Sequence, residues 1–326
     1  MKLASLKTGG RDGTLVVVDR RLERAVCVPQ IAATLQQALE RWNEVSGPLA
    51  VVAQELEAGK RSDAFAFDPF QAASPLPRAY QFLDGSVYLH HMEKARKARG
   101  AAMPPNYKTD PLMYQGLSDA FCGPHDPLLL PDENLELDYE AEIAIVTDEV
   151  PMGTTVEQAS SHIRLVMLLN DYTLRALTRT ELPKGFGFLQ AKPTSAFSPV
   201  ALTPDELGAA FDGECFTLRV RSSVNGEKMG EPDAGRDMFF NYPQLIAHAA
   251  RTRTLSAGTI IGAGSISNQD DSVGFGCIAE ARIHEESIHG APLTSWLRFG
   301  DRVRIEAFDA FGASVFGAID QTIVKG

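Results

Sequence analysis

The segment Leu137-Asp138-Tyr139-Glu140-Ala141-Glu142-Ile143-Ala144-Ile145-Val146 alternates acidic with apolar side chains, a period that an extended chain turns into two chemically distinct faces. The spacing predicts a strand that projects Asp138, Glu140 and Glu142 the same way, with Glu136 as a fourth carboxylate. Acidic groups at i, i+2 repel one another unless water, basic partners or a bound cation offset the charge. Oxygen-only donors suit a hard divalent ion such as Mg²⁺, Mn²⁺ or Ca²⁺. The same run also describes an ordinary amphipathic strand with an acidic face in solvent.

At 326 residues the chain exceeds the usual single-domain size, which favours one large domain with a smaller one. With 44% hydrophobic and 22% charged residues it belongs with globular proteins, not disordered or fibrous ones. The opening Met1-Lys2-Leu3-Ala4-Ser5-Leu6-Lys7 lacks the apolar core of a signal peptide, and no apolar run approaches membrane-spanning length. A cytoplasmic protein is expected. Cys27, Cys122, Cys215 and Cys277 stand apart with no CxxC spacing, so buried free thiols are expected in place of a disulfide frame or zinc site.

A formal charge of −11 opposes nucleic acid or an anionic membrane as partner, since phosphate binding needs a basic surface. Lys94-Ala95-Arg96-Lys97-Ala98-Arg99 runs against that balance. It reads as a nucleic-acid patch, as a solvated helix or loop face, or as local attraction for a small anionic substrate.

Along the chain, Thr14–Val18 and Ala25–Val28 predict a hairpin, and Ile31, Leu35, Ala38, Leu39 and Trp42 a helix over roughly 31–45. Pro69, Pro75 and Pro77 precede a boundary placed near residue 78, leaving a small N-terminal α+β domain (1–78) and a larger body (79–326). In the body, Thr154-Thr155-Val156-Glu157 has capping-box spacing, and the apolar positions after it predict a helix ending near Asn170-Asp171. Phe216–Val220, Thr259–Ile261, Cys277–Ile283, Arg302–Phe308 and Val315–Ile319 read as strands, with Gly262-Ala263-Gly264, Gly274 and Gly300-Asp301 as turns. Strands without regular intervening helices point to an α+β class with largely antiparallel or mixed sheets.

Several residues invite chemistry without an assigned role. Asp171 ends an apolar run four residues before Arg175, a spacing that fits a helix pair or a rigidly held ligand. Asp84 fits a turn or a ligand. His90 and His91 are adjacent, and Glu280 is a carboxylate suited to orienting a histidine base. Lys192 and Ser265 are polar residues framed by turn chemistry, and Lys184-Gly185-Phe186-Gly187-Phe188 reads as a mobile loop.

From about residue 80 onward these segments resemble the fumarylacetoacetate hydrolase family. Its Glu-x-Glu strand is matched by Glu140-Ala141-Glu142 and its Asn-Asp-x-(Ser/Thr)-x-Arg segment by Asn170-Asp171-Tyr172-Thr173-Leu174-Arg175. Its lysine segment is matched by Lys192, its Gly-Thr-Ile-Ser turn by Gly264-Ser265-Ile266-Ser267 and its late glutamate by Glu280. In the hydrolase branch an Asp precedes the catalytic His by seven residues, as Asp84 precedes His91, which selects His91 over His90.

The resemblance implies a β-roll or β-sandwich catalytic domain, usually dimeric, with a divalent cation (Mg²⁺, else Mn²⁺ or Ca²⁺) held by Asp84, Glu140, Glu142 and Asp171. It further implies His91 as base with Glu280 behind it, Lys192 as a catalytic cation, and Arg175, Ser265, Tyr114 and Arg99 at the substrate. The implied reaction is hydrolysis of a carbon-carbon bond in a β-diketo acid such as fumarylacetoacetate or an acylpyruvate. The alternatives are an oxo-acid decarboxylase or isomerase, and a non-catalytic binding protein. Three features depart from the hydrolase branch: Thr178 replaces a glutamine, Ser86 and Tyr88 replace a different aromatic arrangement, and residues 1–78 resemble the shorter bacterial N-terminal domain.

Overall fold

The computed structural model describes residues 1–98 and 100–326; Arg99 lies outside the described residues. The class is α+β, with two large sheets and few helices. The larger sheet runs in the order Phe65–Ala66, Arg24–Cys27, Thr14–Val18, Lys2–Leu6, Ala201–Leu202, Ile163–Asn170, Ala141–Thr147, Ile260–Gly264, Phe82–Ser86, Leu112–Gln115. Ala196–Phe197 pairs with Ile163–Asn170 off this path. A five-stranded sheet, Glu227–Gly230, Arg219–Val224, Arg302–Phe308, Ser314–Lys325, Leu128–Leu130, packs in the body. Pairing is mostly antiparallel, with Ile260–Gly264 parallel to Phe82–Ser86 and Ser314–Lys325 parallel to Leu128–Leu130.

The expected hairpin forms, with Val16 opposite Cys27 and Val18 opposite Ala25. Its sheet does not stop at the N-terminal segment, because Lys2 and Leu3 pair with Leu202 and Ala201 of the body. The helical pattern begun at Ile31 yields two helices, Leu35–Glu40 and Trp42–Glu57, broken at Arg41. Thr34 caps the first through Gln37 N–H. Leu35, Leu39, Trp42, Val45, Leu49 and Leu56 pack with Val146, Leu165, Met167 and Leu169 from one face of the sheet. The opposite face of the same strands, through Ile143, Ile145, Val166 and Leu168, enters the core of the body.

That two-sided burial corrects the helix expected up to Asn170. Only Val156–Ala159 is α-helical, a short 3₁₀ turn follows, and Ile163–Asn170 is a strand. A strand buried on both faces has no polar side to reveal its period, so its apolar run imitates a helix. Cys277–Ile283 errs the opposite way. It opens the helix Ile278–His289, whose Ala279, Glu280, Ala281 and Glu285 are strong helix formers. Gly262-Ala263-Gly264 lies inside a strand, not a turn, and the strand expected from Phe216 begins at Arg219.

Of the cysteines only Cys277 is buried; Cys27 is exposed, Cys122 and Cys215 are half-buried, and all four are free. No helix among the described residues is long and apolar enough to cross a membrane.

Candidate active site and metal centre

Four neighbouring strands of the large sheet bring the carboxylates together. Asp84 projects from Phe82–Ser86, Glu142 from Ala141–Thr147, and Asp171 follows directly on Ile163–Asn170. Between the Asp84 and Glu142 strands lies Ile260–Gly264, with Gly262 opposite Asp84 on one side and Ala144 on the other. A Cβ on Gly262 would stand 2.5 Å from Asp84 Oδ1 and 3.1 Å from Glu142 Oε2, and one on Gly264 would stand 2.4 Å from Glu142 Cγ. The missing side chains let two carboxylates meet across an intervening strand.

Asp84, Glu142 and Asp171 each offer a carboxylate oxygen within 4.8 Å of the others, and all three are buried. Asp84 Oδ1 and both oxygens of Glu142 have no hydrogen-bond partner among the described residues. Burial and then Asp171 push the Asp84 carboxyl up to about 7. Burial and then Asp84 drive Glu142 well above the carboxylate range. Buried acceptor oxygens without donors and carboxyls that resist ionisation are what a cradle for a hard divalent cation shows when its charges face one another alone. The donor set therefore fits such an ion.

Asp171 is further fixed. Its Oδ1 accepts from Ser195 Oγ at 2.9 Å, and its Oδ2 accepts from Lys192 Nζ at 2.5 Å and from the Tyr114 hydroxyl. Glu140 stands beside the trio, with Oε1 bonded to Arg175 at 2.5 Å and Oε2 to Lys192 at 2.6 Å. Burial opposes its charge, but Lys192 and Arg175 outweigh burial and hold its pKa far below the usual value. Burial likewise disfavours a charged Lys192, yet Asp171 and Glu140 keep it protonated above the ordinary lysine range.

The loop carrying Lys192 is pinned by Glu181, whose carboxylate accepts from the N–H groups of Leu189, Gln190 and Ala191 at 2.8–3.0 Å. In Lys184–Phe188, expected as a mobile loop, Lys184 closes a 3₁₀ turn and Phe188 lies edge-on to Tyr114.

Asp138 departs from the acidic trio the alternation suggested. The strand breaks after it, and its carboxylate accepts from Ile278 N at 2.7 Å, Ala279 N at 3.0 Å and Arg175 Nε at 2.9 Å. Glu136 pairs with Arg179 nearer the surface. An acidic solvent face is excluded, because Asp138, Glu140 and Glu142 are all buried.

By capping Ile278–His289, Asp138 orients the helix that carries Glu280 in its first turn. Glu280 Oε2 lies 2.9 Å from His91 Nδ1, and Oε1 accepts from Ser267 Oγ at 2.7 Å. Burial works against ionisation of Glu280, but His91, Ser267 and Lys94 hold it down to about 2. An ionised carboxylate only accepts, so the shared proton sits on Nδ1 and the lone pair of Nε2 is left for a substrate or water. His90 takes another path, with Nε2 2.7 Å from Ser267 Oγ.

Asp84, His91, Tyr114, Glu140, Arg175, Lys192 and Ser265 line one cleft of about 320 Å³. Ser265 Oγ is buried without a partner among the described residues. Ser86 also lines the cleft, whereas Tyr88 is spent in the core on the carbonyl of Ala234 at 2.6 Å. Thr178 donates to the carbonyl of Arg175 at 2.8 Å within its own helix. Of the basic run, Lys94 turns to Asp271 and Glu280, and Arg96 lines the cleft. The roles of Ser195, Glu181, Ser267 and Lys94 left no sequence spacing to find them by; the paired Gly262 and Gly264 did, as glycines two apart on one strand face.

Residues 1–78 match the family model described as fumarylacetoacetase N-terminal domain 2, and residues 81–324 match the fumarylacetoacetate hydrolase C-terminal model. A 2,4-didehydro-3-deoxy-L-rhamnonate hydrolase of Sphingomonas sp. (strain SKA58) is 25% identical over 60% of this chain and 69% of its own. The mitochondrial oxaloacetate tautomerase FAHD1 of Homo sapiens is 25% identical over 67% of this chain and 93% of its own. The crystal structure of maleylpyruvate hydrolase from Sphingobium sp. SYK-6 in complex with manganese(II) and pyruvate shares the fold over 100% of both chains, with a TM-score of 0.65 and 19% identity. Family models spanning both segments, on a fold that gathers Asp84, Glu142 and Asp171 beside His91 and Glu280, place this chain in the fumarylacetoacetate hydrolase family.

Proposed function

We propose that this chain is a metal-dependent hydrolase that cleaves a carbon-carbon bond in a β-diketo acid of the acylpyruvate or fumarylacetoacetate type. The observation that carries the reading is the His91–Glu280 pair, which opens on the same cleft as the buried carboxylates. Asp84, Glu140, Glu142 and Asp171 form the ligand set, for Mg²⁺ in the first place, with Mn²⁺ or Ca²⁺ as substitutes. When bound, the cation supplies Lewis-acid stabilisation of the enolate that departs.

His91 Nε2 takes a proton from water as the water oxygen attacks the acyl carbonyl, and Glu280 stabilises the imidazolium that results. Base catalysis of this kind contributes about 10²- to 10⁴-fold. Lys192 is the catalytic cation beside the tetrahedral oxyanion, a contribution of about 3 kcal/mol per donor. Collapse breaks the carbon-carbon bond, and the leaving carbon recovers a proton from His91. Arg175, Ser265, Tyr114 and Arg99 bind the substrate. The Sphingomonas hydrolase and the Sphingobium maleylpyruvate hydrolase support a hydrolytic role. Work as a homodimer in the cytoplasm is part of the same proposal.

Tautomerisation or decarboxylation of an oxo-acid is the rival, and the tautomerase relative favours it. A spectrophotometric screen of acylpyruvates and oxaloacetate, with and without chelator, separates the two. Hydrolysis that stops on chelation is expected, and turnover of oxaloacetate without cleavage of any diketo acid sinks the hydrolase reading. His91→Ala is expected to lose at least 10²-fold in kcat while keeping its metal by elemental analysis. Glu142→Ala is expected to lose the metal itself.

A further inference from the structure

Lys94 lies three residues after His91 on the helix Leu89–Ala98, hence on the same face. Its ammonium is 2.7 Å from Asp271 Oδ1 and 3.3 Å from Glu280 Oε1, and it sits 5.8 Å from the Phe275 ring centroid. Glu280 thus divides its charge between His91 on one oxygen and Lys94 with Ser267 on the other. A residue that looks like part of a nucleic-acid patch is turned inward, bridging the base-bearing helix to the segment ahead of the Glu280 helix.

Accepting His91 as the base, we propose that Lys94 is a positioning residue for it: bridged to Asp271, the ammonium locks the Glu280 carboxylate in the orientation that holds His91 Nδ1 and sets its positive charge against the carboxylate that faces the imidazole. A carboxylate paired with an ammonium attracts the imidazolium proton less than one left alone. Without Lys94, Glu280 and Asp271 are both left uncompensated near the imidazole, and its protonated form gains. The other groups facing this pair are His90, bonded to Ser267; His284, 3.1 Å from Asp271; Glu140, which feels the His91 charge; Cys277, close to both His91 and Glu280; and Asp237, which faces His90. Among the described residues, Lys94 is the permanent cation that hydrogen-bonds Glu280.

The test is an NMR titration of the imidazoles in the full-length protein, with the His91 signal identified by its loss in His91→Gln, alongside the pH profile of kcat/KM for a hydrolysed diketo acid. Lys94→Met is expected to raise the His91 midpoint by about half a unit to one unit, moving the acid limb of the profile upward with it. Lys94→Arg is expected to restore both. Asp271→Asn is expected to lower the midpoint, since it removes a carboxylate and frees Lys94 for Glu280, and it decides the matter if Lys94→Met does not fold. A midpoint unmoved in Lys94→Met, or in Asp271→Asn when only that variant folds, overturns the inference, even if kcat falls. The titration needs no substrate, so a chain that cleaves no diketo acid yet shows these shifts rejects the proposed reaction and keeps the role of Lys94.

Discussion

Single residues set the dimensions of this site, and the smallest set them most strictly. Gly262 and Gly264 sit where any side chain would collide with Asp84 or Glu142, on a strand whose neighbours carry those acids. Gly264→Ala is therefore expected to act as overpacking, with a loss of about 1–3 kcal/mol in stability by chemical denaturation. Its sharper effect falls on the cradle. A Cβ 2.4 Å from Glu142 Cγ must push that carboxylate aside, so calorimetric titration with Mn²⁺ should show affinity falling at least tenfold. Wild-type affinity in a folded Gly264→Ala protein would mean that Glu142 is not a ligand.

At the scale of elements, Asp138 shows how one acid can couple two parts of the site. It caps Ile278–His289 through two backbone N–H groups and holds Arg175, which in turn holds Glu140. Losing such a cap costs about 1 kcal/mol, and losing the charge-assisted hydrogen bonds to Arg175, which keeps Glu140 as its remaining partner, costs about 1.5–3 kcal/mol. Asp138→Ala should lower the denaturation midpoint by an amount corresponding to roughly 3 kcal/mol or more, and Asp138→Asn by less, since Asn still accepts from the helix. Equal midpoints for both variants and wild type would remove Asp138 from this role.

The same residue marks the limit of what alternation reveals. The period that put Asp138, Glu140 and Glu142 on one face holds only while the strand continues, and the strand breaks between Asp138 and Ala141. The Glu-x-Glu strand, the Asn-Asp segment and the seven-residue interval from Asp84 to His91 were legible because each is local in the chain. The helix expected before Asn170 was misread because both faces of Ile163–Asn170 are buried, and the Glu280 helix because an apolar start hid its helix formers. Ser195, Ser267 and Lys94 act through partners far away in the chain, and no local pattern encodes such pairs.

Taken as a whole molecule, the fold presses negative charge into its own core, which ties stability to pH and to the cation together. Burial and then Asp171 lift Asp84 to about 7 from an ordinary 3.8, and Glu142 moves in the same direction. A carboxyl whose folded pKa is raised holds its proton longer in the folded chain than in the unfolded one. Its contribution is complete below about 3.8 and is lost as pH rises through about 7. Glu280 has the opposite sign: held at about 2 against an ordinary 4.5, it stabilises above 4.5 and the benefit disappears as pH falls toward 2. Between these windows, the metal-free protein should be most stable in mildly acidic solution, and should lose roughly 2–4 kcal/mol as Asp84 and its neighbours are forced to ionise. A divalent cation offsets that slope, because it binds the ionised carboxylates and binding to the folded state alone adds stability. Thermal unfolding from pH 5.5 to 8.5 should then give a Tm that falls with pH in chelator, holds level in excess Mg²⁺ or Mn²⁺, and separates most widely at the alkaline end. Asp84→Asn, which cannot ionise, should flatten the chelator curve and narrow the gap. If wild-type Tm in chelator instead rises through neutral pH, the buried carboxylates are compensated by the protein alone, and the cation has no structural task to perform.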